Sequence, residues 1–328
     1  MNIGIIGSGS WGLALSIVFS EKNNVKLWIR REETLNYLKE HRESPDYLKG
    51  VKLPKNIIFT SYFEELKDRD VIFVVVPSKY FRETIRNFKK YIEEKVIISC
   101  TKGIETDTLY FPTDIIKEEI NPKYLGVLSG PSHAEEVARK LPCAVTLSTN
   151  STKITKQIQK EISTNFFRVY EWHDIRGIEI SGAYKNVIAI SAGIIDGLNL
   201  GNNAKASLIT RGLHEIVKLG KKIGGKTETF YGLSGVGDLI VTCTSNYSRN
   251  RNLGEMIARG YKAEEVMKNS KMVAEGYYNA ISVKKLSEKY RVELPIANEV
   301  YEIIYNSKNP IESLKDLMKR ELKQEFYF

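Results

Sequence analysis

Lys185 is the residue whose surroundings point most directly to chemistry. From Ser181 to Ile195 the chain reads Ser-Gly-Ala-Tyr-Lys-Asn-Val-Ile-Ala-Ile-Ser-Ala-Gly-Ile-Ile, and Lys185 carries the only charge. A helix that is apolar nearly all round belongs inside a protein, and a lysine there is rarely kept without a partner. Desolvation lowers its pKa toward neutrality, where it can exchange a proton with a carbonyl or an alcohol. The competing reading is a lysine that snorkels to the surface along its own methylenes.

Three further constellations carry polar groups at telling positions. Lys102, in Cys100-Thr101-Lys102-Gly103, follows a strand predicted over Val96–Ser99. Open α/β sheets bind ligands at that carboxyl edge, although a loop lysine is otherwise simply solvated. Ser129-Gly130-Pro131-Ser132-His133-Ala134-Glu135 follows another predicted strand. Its Ser132 and Glu135 have the spacing of a capping box, so Ser132 is expected to cap a helix; His133 beside it reads as structural. In Asn246-Tyr247-Ser248-Arg249-Asn250, Ser248 is placed to cap a helix running to about Arg259. Arg249 in the first turn opposes the helix dipole. With an anion bound, the dipole, the N–H groups and the guanidinium would all act together. Gly235-Val236-Gly237-Asp238 lies just upstream.

A cofactor fingerprint opens the chain. Gly7-Ser8-Gly9-Ser10-Trp11-Gly12 fits G-x-G-x-x-G between a predicted strand and a helix ending near Ser20. Gly7 permits the tight turn, Gly9 lets a pyrophosphate approach the backbone, and Gly12 lets helix and strand pack closely. The second predicted strand ends in Arg30-Arg31 rather than in an acidic residue that would hold the ribose 2′-hydroxyl of NAD. Arginine there accepts the 2′-phosphate of NADP, while Glu32 and Glu33 leave NAD open. Both nicotinamide cofactors are therefore expected. Alternatively, the two arginines merely begin a solvated helix.

These groups need a scaffold, and the first half of the chain supplies one. Strands are predicted at Asn2–Ile6, Val25–Ile29, Ile57–Thr60, Val71–Val76, Val96–Ser99, Tyr124–Leu128 and Ala144–Leu147, with helical segments such as Glu32–His41 and Tyr80–Tyr91 between most of them. Several runs lack alternation, as in strands covered on both faces. The pattern predicts an α/β, doubly wound Rossmann-type domain over residues 1–173. After Phe167–Tyr170 long helical periods take over, so residues 174–328 are expected to form an all-helical substrate-binding domain, with the active site in the cleft between the two.

Composition narrows the function class. The 328 residues are 42% hydrophobic and 27% charged, the profile of a soluble globular protein. No uncharged apolar run approaches the ~18 residues of a membrane span, and the N-terminus begins directly with a strand, so a cytosolic protein is expected. Cys100, Cys143 and Cys243 are widely spaced and lack a C-x-x-C pair; they read as buried thiols, with no metal site expected. The net charge of +9 is spread along the chain among glutamates. That is a solvated surface rather than a nucleic-acid stripe, and it suits phosphorylated ligands.

Together these motifs resemble the bacterial type of NAD(P)-dependent glycerol-3-phosphate dehydrogenase over nearly the whole chain. The likeness rests on the glycine motif, on Ser129–Val137 and on Lys185-Asn186-Val187-Ile188-Ala189. It continues through Gly201-Asn202-Asn203-Ala204-Lys205-Ala206, Leu208–Leu213, Gly235–Leu239 and Ser248-Arg249-Asn250. The resemblance implies interconversion of dihydroxyacetone phosphate and sn-glycerol 3-phosphate with NAD(P)H, by a homodimer that supplies phospholipid synthesis. It implies that Ser10, Trp11, Arg30, Arg31, Lys102, Ala134, Arg249, Val273 and Glu275 contact the cofactor. Lys102, Gly130, Ser132, Lys185, Asp238, Ser248, Arg249 and Asn250 would surround the substrate, with Lys185 as proton acceptor. The chain departs from the commonest pattern at Tyr184, where a smaller aliphatic residue is usual, and at Ala274 in Met272-Val273-Ala274-Glu275-Gly276, where valine is commoner. A hydroxyacid dehydrogenase is the rival enzyme reading, and a nucleotide-sensing Rossmann protein the non-enzymatic one; a sensor has no need of a desolvated Lys185.

Overall fold

Eight strands of the first half assemble into one sheet; seven fall on the predicted runs, and Phe167–Glu171 adds an eighth. In this computed structural model residues 1–270, 273–322, 324 and 325 are described; Met272 of the quoted motif lies outside them. The strands are β1 (Asn2–Ile6), β2 (Asn24–Trp28), β3 (Ile58–Thr60), β4 (Val71–Val74), β5 (Val96–Ser99), β6 (Tyr124–Ser129), β7 (Cys143–Thr149) and β8 (Phe167–Glu171). They lie in the order β3-β2-β1-β4-β5-β6-β7-β8. The helices threaded among them are α1 (Ser10–Phe19), α2 (Glu32–His41), α3 (Phe81–Ile92), α4 (Pro112–Glu119), α5 (Ala134–Val137) and α6 (Thr152–Ile162). β4 stops short of the predicted Val76 because the chain there turns into Pro77, which cannot donate to a ladder.

The pairings are parallel except between β6 and β7, where Gly126 faces Thr149 and Ser129 faces Thr146. A parallel return needs a crossover long enough to travel back along the sheet. The only helix in that connection is the four-residue α5, which at about 1.5 Å per residue is too short. Both faces of the sheet are covered. Phe19, Leu38 and Ile158 pack from α1, α2 and α6 on one side, and Phe81, Ile85, Phe88 and Ile116 from α3 and α4 on the other.

β1 pairs with β2 on one side and β4 on the other, so the chain reverses its direction of winding at β1. The glycine-rich turn leaves β1 at this switch point, where doubly wound sheets open a crevice.

The second half is helical: α7 (Ile175–Gly197), α8 (Gly201–Lys222), α9 (Thr227–Phe230), α10 (Asp238–Thr244), α11 (Arg249–Ala258), α12 (Ala263–Asn269), α13 (Glu275–Tyr290), α14 (Pro295–Tyr305) and α15 (Pro310–Met318), with one π-turn at Leu233–Gly237. α7 is the axis of this half. Asp174 caps it by accepting from Gly177 N at 2.8 Å. By length and hydropathy α7 alone among the described residues could span a membrane, yet 94% of its apolar window is buried in the protein. It is the core helix of a helical bundle. α11 presses against it where a Cβ on Gly254 would lie 2.0 Å from Ile190 O, and this close approach brings Asn250 to Asn186.

Candidate active site

A cleft of about 700 Å³ runs from the glycine turn, along the carboxyl edge of the sheet, to the faces of α7, α10 and α11. At its inner end the structure settles the fate of Lys185. The side chain is buried, at 5% exposure, and does not snorkel. Its Nζ donates to Asp238 Oδ1 at 2.7 Å and to Thr242 Oγ1 at 2.7 Å. Lys102 Nζ donates to the other oxygen of the same carboxylate, Asp238 Oδ2, at 2.7 Å, and to Gly130 O at 3.0 Å. One carboxylate thus holds two ammonium groups.

The electrostatics follow from that arrangement. Burial pushes the Lys185 ammonium down to about 8, with Asp238 opposing and Lys102 reinforcing the shift. Burial alone would raise Asp238, but the two lysines outweigh it and hold the carboxyl below its ordinary value. Lys185 is therefore poised to change protonation near neutral pH while Asp238 stays charged.

A second chain of hydrogen bonds fixes the neighbours. Asn186 Nδ2 donates to Lys102 O at 3.1 Å, and its Oδ1 accepts from Asn250 Nδ2 at 2.9 Å; Asn250 Oδ1 in turn accepts from Gly276 N at 2.8 Å. Thr242 donates to Asp238 O at 2.6 Å. Asn186 and Thr242 escaped the sequence reading as site residues. Asn186 was visible as a second polar residue in an apolar helix. Thr242, four residues after Asp238, shares its helix face.

Ser248 caps α11 as expected, accepting from Arg251 N at 3.2 Å. Arg249 is exposed at the helix start, and its Nη1 donates to Val273 O at 3.2 Å. Across the cleft, Glu275 Oε1 accepts from Ser78 N at 2.9 Å and Oε2 accepts from Ser78 Oγ, joining α13 to the loop after β4. Burial raises the Glu275 carboxyl, and the Ser78 bonds only partly offset this.

The capping expectation at Ser132 is corrected. α5 begins at Ala134 with His133 at the cap position, and Ser132 Oγ donates to Gly130 O at 2.8 Å. α5 starts one residue later than a cap at Ser132 requires, and the hydroxyl that would cap it turns back to Gly130 O, the carbonyl that also accepts from Lys102. His133 sits 3.4 Å from Val241 O, outside the lysine–aspartate network, and its burial lowers its pKa. Tyr184 points into the helical core, where its hydroxyl donates to Glu215 Oε2 at 2.7 Å. Cys100 and Cys243 are buried and Cys143 is half-buried; burial raises all three thiols, the last two to about 12.

At the outer end the residues fit a dinucleotide. Gly7 has φ +117°, and a Cβ there would lie 2.3 Å from Val75 O; one on Gly12 would lie 1.9 Å from Gly7 O. A Cβ on Gly9 meets nothing within 4 Å, so open space faces the turn. The first intrahelical bond is Leu13 N to Gly9 O, which leaves the N–H groups of Ser10, Trp11 and Gly12 for an anion. Trp11 lines the cleft with its buried Nε1 unpartnered. Arg30, Arg31 and Ala134 line the same cleft, far in sequence from Lys185.

The profile of the NAD-dependent glycerol-3-phosphate dehydrogenase N-terminus matches residues 2–155, and that of the C-terminus matches residues 174–315. The chain belongs to this family. A glycerol-3-phosphate dehydrogenase [NAD(P)+] of Thermotoga sp. (strain RQ2) is 42% identical over 328 residues, covering 100% of this chain and 99% of the relative. One from Agathobacter rectalis is 44% identical over 98% of this chain and 97% of its own. The crystal structure of the glycerol-3-phosphate dehydrogenase from Coxiella burnetii superposes with a TM-score of 0.93 at 36% identity, covering 97% of this chain and 98% of that one. A D-mandelate dehydrogenase with NADH shares the fold at a TM-score of 0.60 and 17% identity. The rival hydroxyacid reading thus keeps the architecture and loses the family.

Proposed function

We propose that this chain interconverts dihydroxyacetone phosphate and sn-glycerol 3-phosphate, with Lys185 as the proton donor and acceptor. The observation that carries this reading is Lys185 buried against Asp238 and Thr242 where the glycine-turn cleft meets the helical domain. The nicotinamide cofactor supplies the hydride in reduction and accepts it in oxidation.

The protein's own part is positioning and proton transfer. As the ketone becomes an alkoxide, the Lys185 ammonium gives its proton to the C2 oxygen; in the reverse direction the neutral amine takes it back. Asp238 keeps Lys185 fixed and partly sustains its charge. Lys102, on the same carboxylate, brings a second positive group to the site. Charge developing on oxygen then meets oriented donors in a site of low dielectric.

Ser10, Trp11, Gly12, Arg30, Arg31, Ala134, Val273 and Glu275 belong to the cofactor side of this reading. Gly130, Ser132, Asn186, Thr242, Ser248, Arg249 and Asn250 belong to the substrate side. Arg249 and Asn250, at the start of α11, form the phosphate anchor: helix dipole, free N–H groups and guanidinium converge there. The reading divides the chain at residues 173 and 174, and extends to a cytosolic homodimer whose product is the glycerol phosphate backbone of phospholipids.

The deciding assay is the absorbance of NADH or NADPH with dihydroxyacetone phosphate, and with unphosphorylated dihydroxyacetone as control. The expected result is rapid oxidation with the phosphorylated ketone and little with the control. Equal rates, or none with either, would overturn the assignment.

A further inference from the structure

At the outer end of the cleft, beyond β2, the paired arginines of the sequence are not equivalent. Arg30 lies 5.6 Å over the Tyr80 ring. Arg31 Nη2 instead donates to Asp46 Oδ2 at 3.0 Å. Arg31, Asp46 and Tyr80 all line the cleft that holds the glycine turn.

Asp46 is held in place by its loop. Ser44 and Leu48, two residues to either side, are buried. Tyr47 N donates to Ser44 Oγ at 3.1 Å, and Gly50 N donates to Glu43 Oε1 at 2.9 Å. Leu53 N closes the base on Arg42 O at 2.6 Å. The carboxylate is therefore a positioned charge, with 23% of its side chain exposed against 57% for Arg31. Of the two, the arginine has the freedom to move.

We propose that Asp46 sets the balance between NADPH and NADH by competing with the 2′-phosphate for Arg31. This rests on the reading above that Arg31 faces the adenosine ribose. A 2′-phosphate must draw Arg31 from Asp46 or share it, and in either case a dianion comes to rest near a fixed carboxylate. A ribose 2′-hydroxyl brings no charge and meets no such opposition. The chain thereby keeps an arginine that accepts NADPH and a counter-charge that restrains the preference for it.

The test is Asp46→Asn, which keeps size and removes charge. Calorimetric titration of the cofactor-free protein with adenosine 2′,5′-bisphosphate, referenced to 5′-AMP, reads binding without turnover. The 2′-phosphorylated ligand should gain about two- to five-fold relative to 5′-AMP, the range of a partly exposed ion pair. The ratio of kcat/KM for NADPH to that for NADH should move by the same factor. In an Arg31→Ala background the competition is gone, and the Asp46→Asn gain should shrink to what the direct repulsion between Asp46 and the 2′-phosphate contributes. If Arg31→Ala weakens the bisphosphate but Asp46→Asn leaves it unchanged or weaker, Asp46 is no competitor and the proposal falls. If Arg31→Ala does not weaken it, Arg31 does not face the 2′-phosphate, and the underlying placement falls with the proposal.

Discussion

The two ends of the cleft are built on opposite principles. The outer end offers backbone N–H groups from consecutive residues and two arginines on the surface, Arg30 and Arg31. The inner end gathers Lys102, Lys185 and Asp238 from positions as far as 136 residues apart. There each of the two ammonium groups has two acceptors. An open end of repeated, similar donors tolerates the loss of one. A buried end, where one carboxylate organises two cations, does not: deleting a member leaves its partners buried and uncompensated.

The sharpest break of this contrast is Lys185→Ala. Losing the proposed proton donor should lower kcat by roughly 10²–10⁴-fold while leaving cofactor affinity, measured by fluorescence titration, nearly unchanged. Turnover near that of the wild type in a folded variant would remove Lys185 from the chemistry.

Arg249 tests an intermediate case, an exposed side chain that the proposed function sets against the substrate phosphate. Arg249→Ala should cut kcat/KM for dihydroxyacetone phosphate by between about ten- and a thousand-fold. The slow rate with dihydroxyacetone should change little at saturating cofactor. A common factor for both ketones would place the phosphate elsewhere, toward Lys102 and Ser132.

Asp238 bears on the pH profile. On the proposed mechanism reduction needs the Lys185 ammonium, so its kcat should fall as pH rises through about 8, while oxidation, which needs the amine, should rise over the same range. Asp238 opposes the desolvation of Lys185. Asp238→Asn should therefore move the falling limb of reduction to lower pH and cost about ten-fold or more at neutral pH. An unmoved limb would mean that another group sets it.

The same contrast explains what could be read from the sequence. The glycine turn was legible because six consecutive residues make it and because Gly7 and Gly12 have no room for a side chain. Lys185 was legible as a charge inside an apolar helix. Its pairing with Asp238 was not, since nothing local fixes which carboxylate the fold delivers. The cap at Ser132 was not legible because S-x-x-E describes a cap only when the helix begins at the very next residue; here α5 begins at Ala134 and the Ser132 hydroxyl bonds Gly130 O instead. The antiparallel β7 was hidden too, since its direction depends on how short α5 turned out to be. Asp46 carries no motif at all; only the returning loop brings it to Arg31.

The smallest expected effect lies between the two halves, on Glu179. It belongs to α7, the helix of Lys185, and reaches α4 of the sheet domain, accepting from Thr113 N at 2.9 Å and Thr113 Oγ1 at 2.7 Å. Burial raises its carboxyl from an ordinary 4.5 to about 7, against the opposing pull of Arg176 and the Thr113 bonds. In the folded protein Glu179 therefore binds its proton more tightly than in the unfolded chain. The stability this adds is fully present below the ordinary value and is lost as pH rises through about 7. Glu179→Gln keeps a neutral acceptor for Thr113 N and cannot ionise. Relative to the variant, the wild-type Tm should decline by about a few degrees across that window, since ~1 kcal/mol corresponds to a few degrees in chains of this order. The comparison is made by scanning both proteins at several pH values. Parallel Tm curves would show that Glu179 titrates near its ordinary value in both states, and that burial at the α4–α7 junction costs its charge nothing.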